Sequence, residues 1–162
     1  MARNEGAFSA RFAYPQIMNG LNLKIFTHLV KQIVSQISQP LDVNEMIKFY
    51  LQNADKNNSD SLLKAFMDFY GDLYVICPTY EFTKKYSEYN PKNNVYFYEF
   101  TYQSTGRFLS CLSNYGICHG SDVEFVFGVP LLTNNTNTLQ IDIDFSREVM
   151  KFWTNFAKTG YK

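Results

Sequence analysis

A chain of 162 residues, 46% hydrophobic and 17% aromatic, has enough apolar material for a domain with its own core, which argues against disorder. Its 15 basic and 15 acidic residues cancel to a formal net charge of zero, so no whole-chain field draws it to nucleic acid or to an anionic membrane. No apolar run reaches the ~18 residues of a spanning helix, and the start Met1-Ala2-Arg3-Asn4-Glu5-Gly6 lacks the apolar core of a signal peptide.

Leu23, Ile25, Phe26, Leu29, Val30, Ile33, Val34 and Ile37 fall mostly three and four apart, which predicts a helix within 21–37. Gln39-Pro40 ends it, because proline disfavours helix in the residue before it. A second helix is predicted over 43–51, followed by the solvated loop Ala54-Asp55-Lys56-Asn57-Asn58-Ser59. Ser61 is placed to cap a third helix bearing Leu62, Leu63, Phe66, Met67 and Tyr70, with Gly71 as a break and a further helix from Thr79, just past Pro78, to Tyr89. After the turn Tyr89-Asn90-Pro91-Lys92-Asn93-Asn94, the β-branched and aromatic residues of 95–102 predict the best strand of the chain. A last helix is predicted over 145–158, with Asp144 or Ser146 as cap, a stripe of Val149, Met150, Trp153, Phe156 and Ala157, and Gly160 past its end. One strong strand cannot make a sheet, so this mixture of helices and strand reads as a piece of something larger.

Cys77, Cys111 and Cys118 are too few for a disulfide scaffold, and their odd count leaves at least one thiol without an internal partner. No Cys/His spacing suggests a metal site, and neither metal nor cofactor is expected. Asn57-Asn58-Ser59 and Asn134-Asn135-Thr136 are acceptor triplets for glycosylation at Asn57 and Asn134, both in polar stretches.

The run Gly116-Ile117-Cys118-His119-Gly120-Ser121-Asp122-Val123-Glu124-Phe125-Val126-Phe127-Gly128-Val129-Pro130 resembles the catalytic-histidine loop of the type-B carboxylesterases, the cholinesterases among them. Three further blocks agree in the same order. Asn4-Glu5-Gly6-Ala7-Phe8 is similar to the segment carrying the family's catalytic acid, Val75-Ile76-Cys77-Pro78 to a block upstream of the histidine, and Trp153-Thr154-Asn155-Phe156-Ala157-Lys158-Thr159-Gly160 to the terminal helix. The resemblance implies that residues 1–162 are the C-terminal part of a type-B carboxylesterase domain. The fold class it implies is α/β, the C-terminal portion of an α/β-hydrolase fold, with an incomplete sheet and several helices.

The α/β-hydrolase order is nucleophile, acid, histidine. By the resemblance, Glu5 is the acid and His119 the base of a Ser-Glu-His triad, and the substrate is a small carboxylic ester, with choline esters as a candidate. No serine here sits in Gly-x-Ser-x-Gly, and no glycine-rich oxyanion loop is present; the isolated chain is therefore expected to be inactive. Phe8 corresponds to an aromatic lining the substrate gorge, the alternative being plain core. Asp122, where the family usually has glutamate, is expected to support the histidine loop or else to be a solvated acid. His28 carries no such expectation. Ser121 replaces an aromatic common in cholinesterases, and Asn4 replaces the usual aspartate. Cys77 matches a cysteine that in cholinesterases pairs with one nearer the C-terminus. The resemblance also implies an extracellular or cell-surface protein. The rival reading is a non-catalytic, neuroligin-like adhesion member of the same superfamily.

Overall fold

The computed structural model describes residues 1–104, 116–132 and 139–161. Its elements in chain order are α1 (Gly6–Ala13), a 3-10 turn (Pro15–Asn19), α2 (Leu23–Val34), α3 (Val43–Leu51), α4 (Ser59–Gly71), a π turn (Asp72–Ile76), α5 (Cys77–Tyr89), α6 (Ser121–Val126), α7 (Val129–Leu132) and α8 (Gln140–Thr159).

The helices start where side chains can satisfy the first free N–H groups. Asn22 caps α2 by accepting from the Ile25 N–H, and Asp42 caps α3 by accepting from Asn44 and Glu45. Asn58, rather than Ser61, caps α4; the Ser61 hydroxyl instead accepts from the Asp55 N–H and ties down the preceding loop. Gly71 and Pro78 do not break the path. The π turn lies just ahead of Pro78, and its wider winding suits a residue that has no N–H and whose ring crowds the carbonyl four residues back. The last helix begins at Gln140, not near residue 145. Asp142 accepts from the Leu139 N–H at 3.3 Å, while Ser146 lies inside the helix and donates to the Phe125 carbonyl at 2.9 Å. Gly160 ends α8 at φ 72°, as its position predicts.

Packing divides into two apolar clusters. Ala7 and Ala10 of α1, Phe26, Val30 and Ile33 of α2, and Leu62, Phe66 and Phe69 of α4 form the larger one. Ala2, Phe100, Ile117 and Phe125 form the smaller, with Tyr102, Phe145 and Val149 against it. In the larger, α1 meets α4 at two glycines. A Cβ on Gly6 would lie 1.8 Å from the Met67 carbonyl oxygen, and one on Gly71 would lie 2.6 Å from the Gly6 nitrogen. The two backbones touch there because neither residue has a side chain.

The strand expected over 95–102 is not formed. Among the described residues there is no strand, only two isolated parallel bridges, Ala2 to Phe100 and Asn4 to Cys118. They set residues 1–4 between the two other segments, held by Phe100 N–H to Met1 carbonyl, Arg3 N–H to Phe100 carbonyl and Asn4 N–H to Ile117 carbonyl. An extended segment becomes a strand only where a neighbour continues the ladder, and these contacts are one or two residues long. The sheet of the expected α/β class is thus not seen among the described residues, which form helices around three extended segments. Within 95–102 the rings nonetheless alternate in facing. Tyr96 meets Phe156, Tyr98 meets Trp153, and Phe100 and Tyr102 meet Phe145, so its even-numbered rings all face α8. Tyr102 also donates to Asp142 at 2.8 Å, and its phenol is pushed up to about 12, by burial first and then by that carboxylate.

Gly6→Ala forces α1 off α4 and is expected to destabilise the fold by about 3 kcal/mol, the upper range for overpacking. A urea denaturation midpoint within error of wild type would show that the helices do not need this contact.

Candidate functional site

Glu5 stands at the junction between the extended residues 1–4 and α1, and the Gly6 contact with α4 presses it inward until it is 2% exposed. A carboxylate cannot be buried without partners, since the desolvation of an unpaired charge costs several kcal/mol. Both oxygens of Glu5 are occupied. Oε1 accepts from the Ala2 N–H in a short hydrogen bond, and Oε2 lies 2.5 Å from His119 Nδ1. The Ser9 hydroxyl donates to the Glu5 carbonyl at 2.9 Å, fixing the first turn of α1.

His119 arrives from 114 residues further along the chain, on a tight turn. Gly116 (φ 75°) and Gly120 (φ 83°) flank it in the left-handed region, and the Ser121 N–H closes the turn onto the Cys118 carbonyl at 3.0 Å. Its side chain is 59% exposed while that of Glu5 is 3% exposed. An ionised carboxylate only accepts, so Nδ1 carries the proton between them, and the neutral ring keeps its lone pair on Nε2. The pair is a buried acceptor holding an accessible imidazole in one tautomer.

A second contact braces the same turn. Asp122 accepts from the Tyr98 hydroxyl at 2.5 Å. The Tyr98 phenol is held well above its ordinary range, by burial first, then by Asp122, and also by the charge on Glu5. Tyr98, which the sequence placed only within the expected strand over 95–102, thus contacts the turn that carries His119. Its place among the even-numbered residues of 95–102 was a usable signal.

The remaining candidates lie apart from this pair. The ring contact of Phe8 is with Phe12, 6.4 Å away and nearly parallel, and both rings face outward. His28 is exposed on α2. Cys77 is a free, exposed thiol. Asn57 is exposed in the turn before α4, and Asn134 lies outside the described residues. A cavity of about 620 Å³ is lined by Glu5, Tyr50, Asp68 and Asp72, but His119 is not on its wall. Among the described residues no group of three or more His, Cys, Asp or Glu side chains is arranged to hold a metal, and no helix is long and apolar enough to cross a membrane.

The sequence as a whole, residues 1–162, matches the profile of the carboxylesterase family. It is 38% identical over 113 residues to a cholinesterase of Mus musculus, covering 70% of this chain and 18% of that protein. It is 36% identical over 111 residues to an acetylcholinesterase of Bungarus fasciatus, covering 68% of this chain and 18% of the relative. To an acetylcholinesterase of Gallus gallus it is 34% identical over 120 residues, covering 74% of this chain and 15% of the relative. The chain therefore aligns with less than a fifth of the length of these curated relatives.

Tyr98→Phe removes the brace on the histidine turn and is expected to cost about 1 kcal/mol, below the usual range for a hydrogen bond to a charged group because both partners are partly solvated. Because folding raises the phenol's pKa, the contact's contribution is full below the unfolded tyrosine value of about 10 and is lost as pH rises beyond it. The stability difference between wild type and Y98F should shrink above pH ~10; a difference that stays constant across that range would show that the phenol is not held by Asp122.

Proposed function

The chain belongs to the carboxylesterase family, and on that premise we propose that residues 1–162 are the C-terminal part of a serine carboxylic-ester hydrolase. Glu5 and His119 are its acid and base, and the serine and oxyanion donors come from residues outside this chain. The observation that carries the reading is the 2.5 Å contact between the buried Glu5 carboxylate and Nδ1 of the exposed His119 ring. A carboxylate satisfied by one backbone N–H and one imidazole is what a triad acid requires, and an adhesion-like protein has no need to keep both.

The chemistry follows from the tautomer. Nε2 removes the serine hydroxyl proton as the oxygen attacks the ester carbonyl, and the imidazolium formed is stabilised by Glu5 without proton transfer to it. As the tetrahedral intermediate collapses, Nε2–H gives its proton to the departing alcohol and leaves an acyl-enzyme. Water is then deprotonated by the same nitrogen and attacks the acyl carbon, and Nε2–H returns that proton to the departing serine oxygen as the carboxylic acid is released. Each oxyanion needs backbone donors.

Substrate choice is proposed at two levels. Small carboxylic esters follow from the family. Choline esters follow from relatives named cholinesterase and acetylcholinesterase. The paired rings of Phe8 and Phe12 could supply a face to a quaternary ammonium once the rest of the gorge surrounds them. Asp122 supports the histidine turn through Tyr98. Attachment of sugar at Asn57 suits its exposure, and a location outside the cell or on its surface is proposed with it.

In the full-length protein carrying this chain, His119→Ala and Glu5→Gln should lower kcat by about 10⁴-fold, with Glu5→Gln acting through the wrong tautomer. Hydrolysis of a thiocholine ester and of a neutral aryl ester measures both variants. Loss on both substrates supports the triad, and undiminished turnover by H119A would overturn it. A wild type with no turnover of either ester would return the adhesion-like reading.

A further inference from the structure

We propose that Asn4 is a positioning residue that sets His119 against Glu5, a role that rests on the reading of those two residues as base and acid. Asn4 precedes Glu5 directly, and every hydrogen bond it makes toward the histidine segment falls on one residue. Its backbone N–H donates to the Ile117 carbonyl at 2.9 Å, and its side-chain Oδ1 accepts from the Ile117 N–H at 3.0 Å. The carboxamide oxygen thus substitutes for the main-chain acceptor that a neighbouring strand would present. Both polar groups of Ile117, two residues before His119, are held by the residue before the acid.

Two hydrogen bonds to one residue fix both the offset and the rotation of the two segments, where a single bond would leave a pivot. Gly116 completes the device. A Cβ there would lie 2.2 Å from Asn4 Oδ1 and 2.9 Å from its Cγ, so the carboxamide occupies the space of the missing side chain. Gly116 is required twice, by its φ of 75° and by this contact. The stretch Gly116-Ile117-Cys118-His119 and the pair Asn4-Glu5 therefore form one clamp, and the 2.5 Å contact of His119 with Glu5 is its outcome. Asn4 uses its side chain toward Ile117 only as an acceptor, so an aspartate would serve the same contact; asparagine does it without a second negative charge beside Glu5.

The test compares Asn4→Leu, which keeps the size and removes the acceptor, with Asn4→Asp, which keeps the acceptor, in the full-length protein. N4L should lower kcat about 10²-fold, the scale of an ~1 Å misplacement of a catalytic group, with KM within about twofold. It should also shift or broaden the low-field proton resonance of the His119 Nδ1–H. N4D should restore both, which a merely structural role would not require. Unchanged kcat and resonance in N4L would overturn the proposal, as would an N4D variant as impaired as N4L. Should N4L fail to accumulate, Asn4→Ser, whose hydroxyl ends short of Ile117, takes its place in the same comparison with N4D. His119→Ala run alongside separates the two readings. An inactive H119A with a fully active N4L removes only the role of Asn4, whereas an active H119A removes the acid–histidine pair itself.

Discussion

Burial of the Glu5 carboxylate is the constraint from which the arrangement of the chain follows. Two backbones in contact at Gly6 and Gly71 leave no gap between α1 and α4, and the residue at the head of α1 is carried with it out of solvent. Desolvating that charge costs several kcal/mol unless each oxygen finds a donor. One donor, the Ala2 N–H, comes from its own segment. The other must come from elsewhere, and it comes from 114 residues away, on a turn that two left-handed glycines bend into reach. The same carboxylate that would be a liability alone becomes the element that orders an otherwise exposed imidazole.

The sequence made the helices legible because their information is local. Apolar spacing located α2 and α3, and Gly160 marked the end of α8. It failed where a local rule was overridden by a neighbour. Gly71 reads as a break because glycine is a poor helix former, yet it sits inside a continuous helical path because only glycine can meet Gly6. Pro78 reads as a start for the same local reason, and a π turn accommodates it within the path. Ser61 and Ser146 read as caps by residue type, while each hydroxyl is spent on a distant or loop backbone group. The strand over 95–102 shows the same limit from the other side. Its rings alternate in facing, as the even-numbered ones against α8 testify, but the hydrogen bonds that make a strand belong to its neighbours.

The site divides along the same line. Glu5 and His119 were legible only through the resemblance of their surrounding motifs, since no spacing rule connects residues so far apart. Their contact distance and the burial of one against the exposure of the other are properties of the fold. Asn4 and Tyr98 were present in the sequence as a short polar residue and an aromatic in an extended run. Nothing in their type announces that one holds both polar groups of Ile117 and the other braces Asp122. Such roles depend on which acceptor lies opposite, which is tertiary information.

The two apolar clusters explain why the pair lies where it does. Along residues 116–118 the side chains alternate, as in any extended segment: Ile117 enters the smaller cluster and Cys118 the larger. Around Glu5 the division repeats, with Ala2 in the smaller cluster and Ala7 in the larger. Both segments therefore run along the seam between the clusters, each pinned on two sides, and the bridge from Asn4 to Cys118 ties them together there. At the end of the seam the alternation stops. Glu5 turns inward at the head of α1, while His119 emerges on its glycine turn with its side chain 59% exposed. A rigid acid beneath an accessible base is thus the product of where the seam ends, and small changes in the register of the two segments would act on their separation before they acted on either cluster.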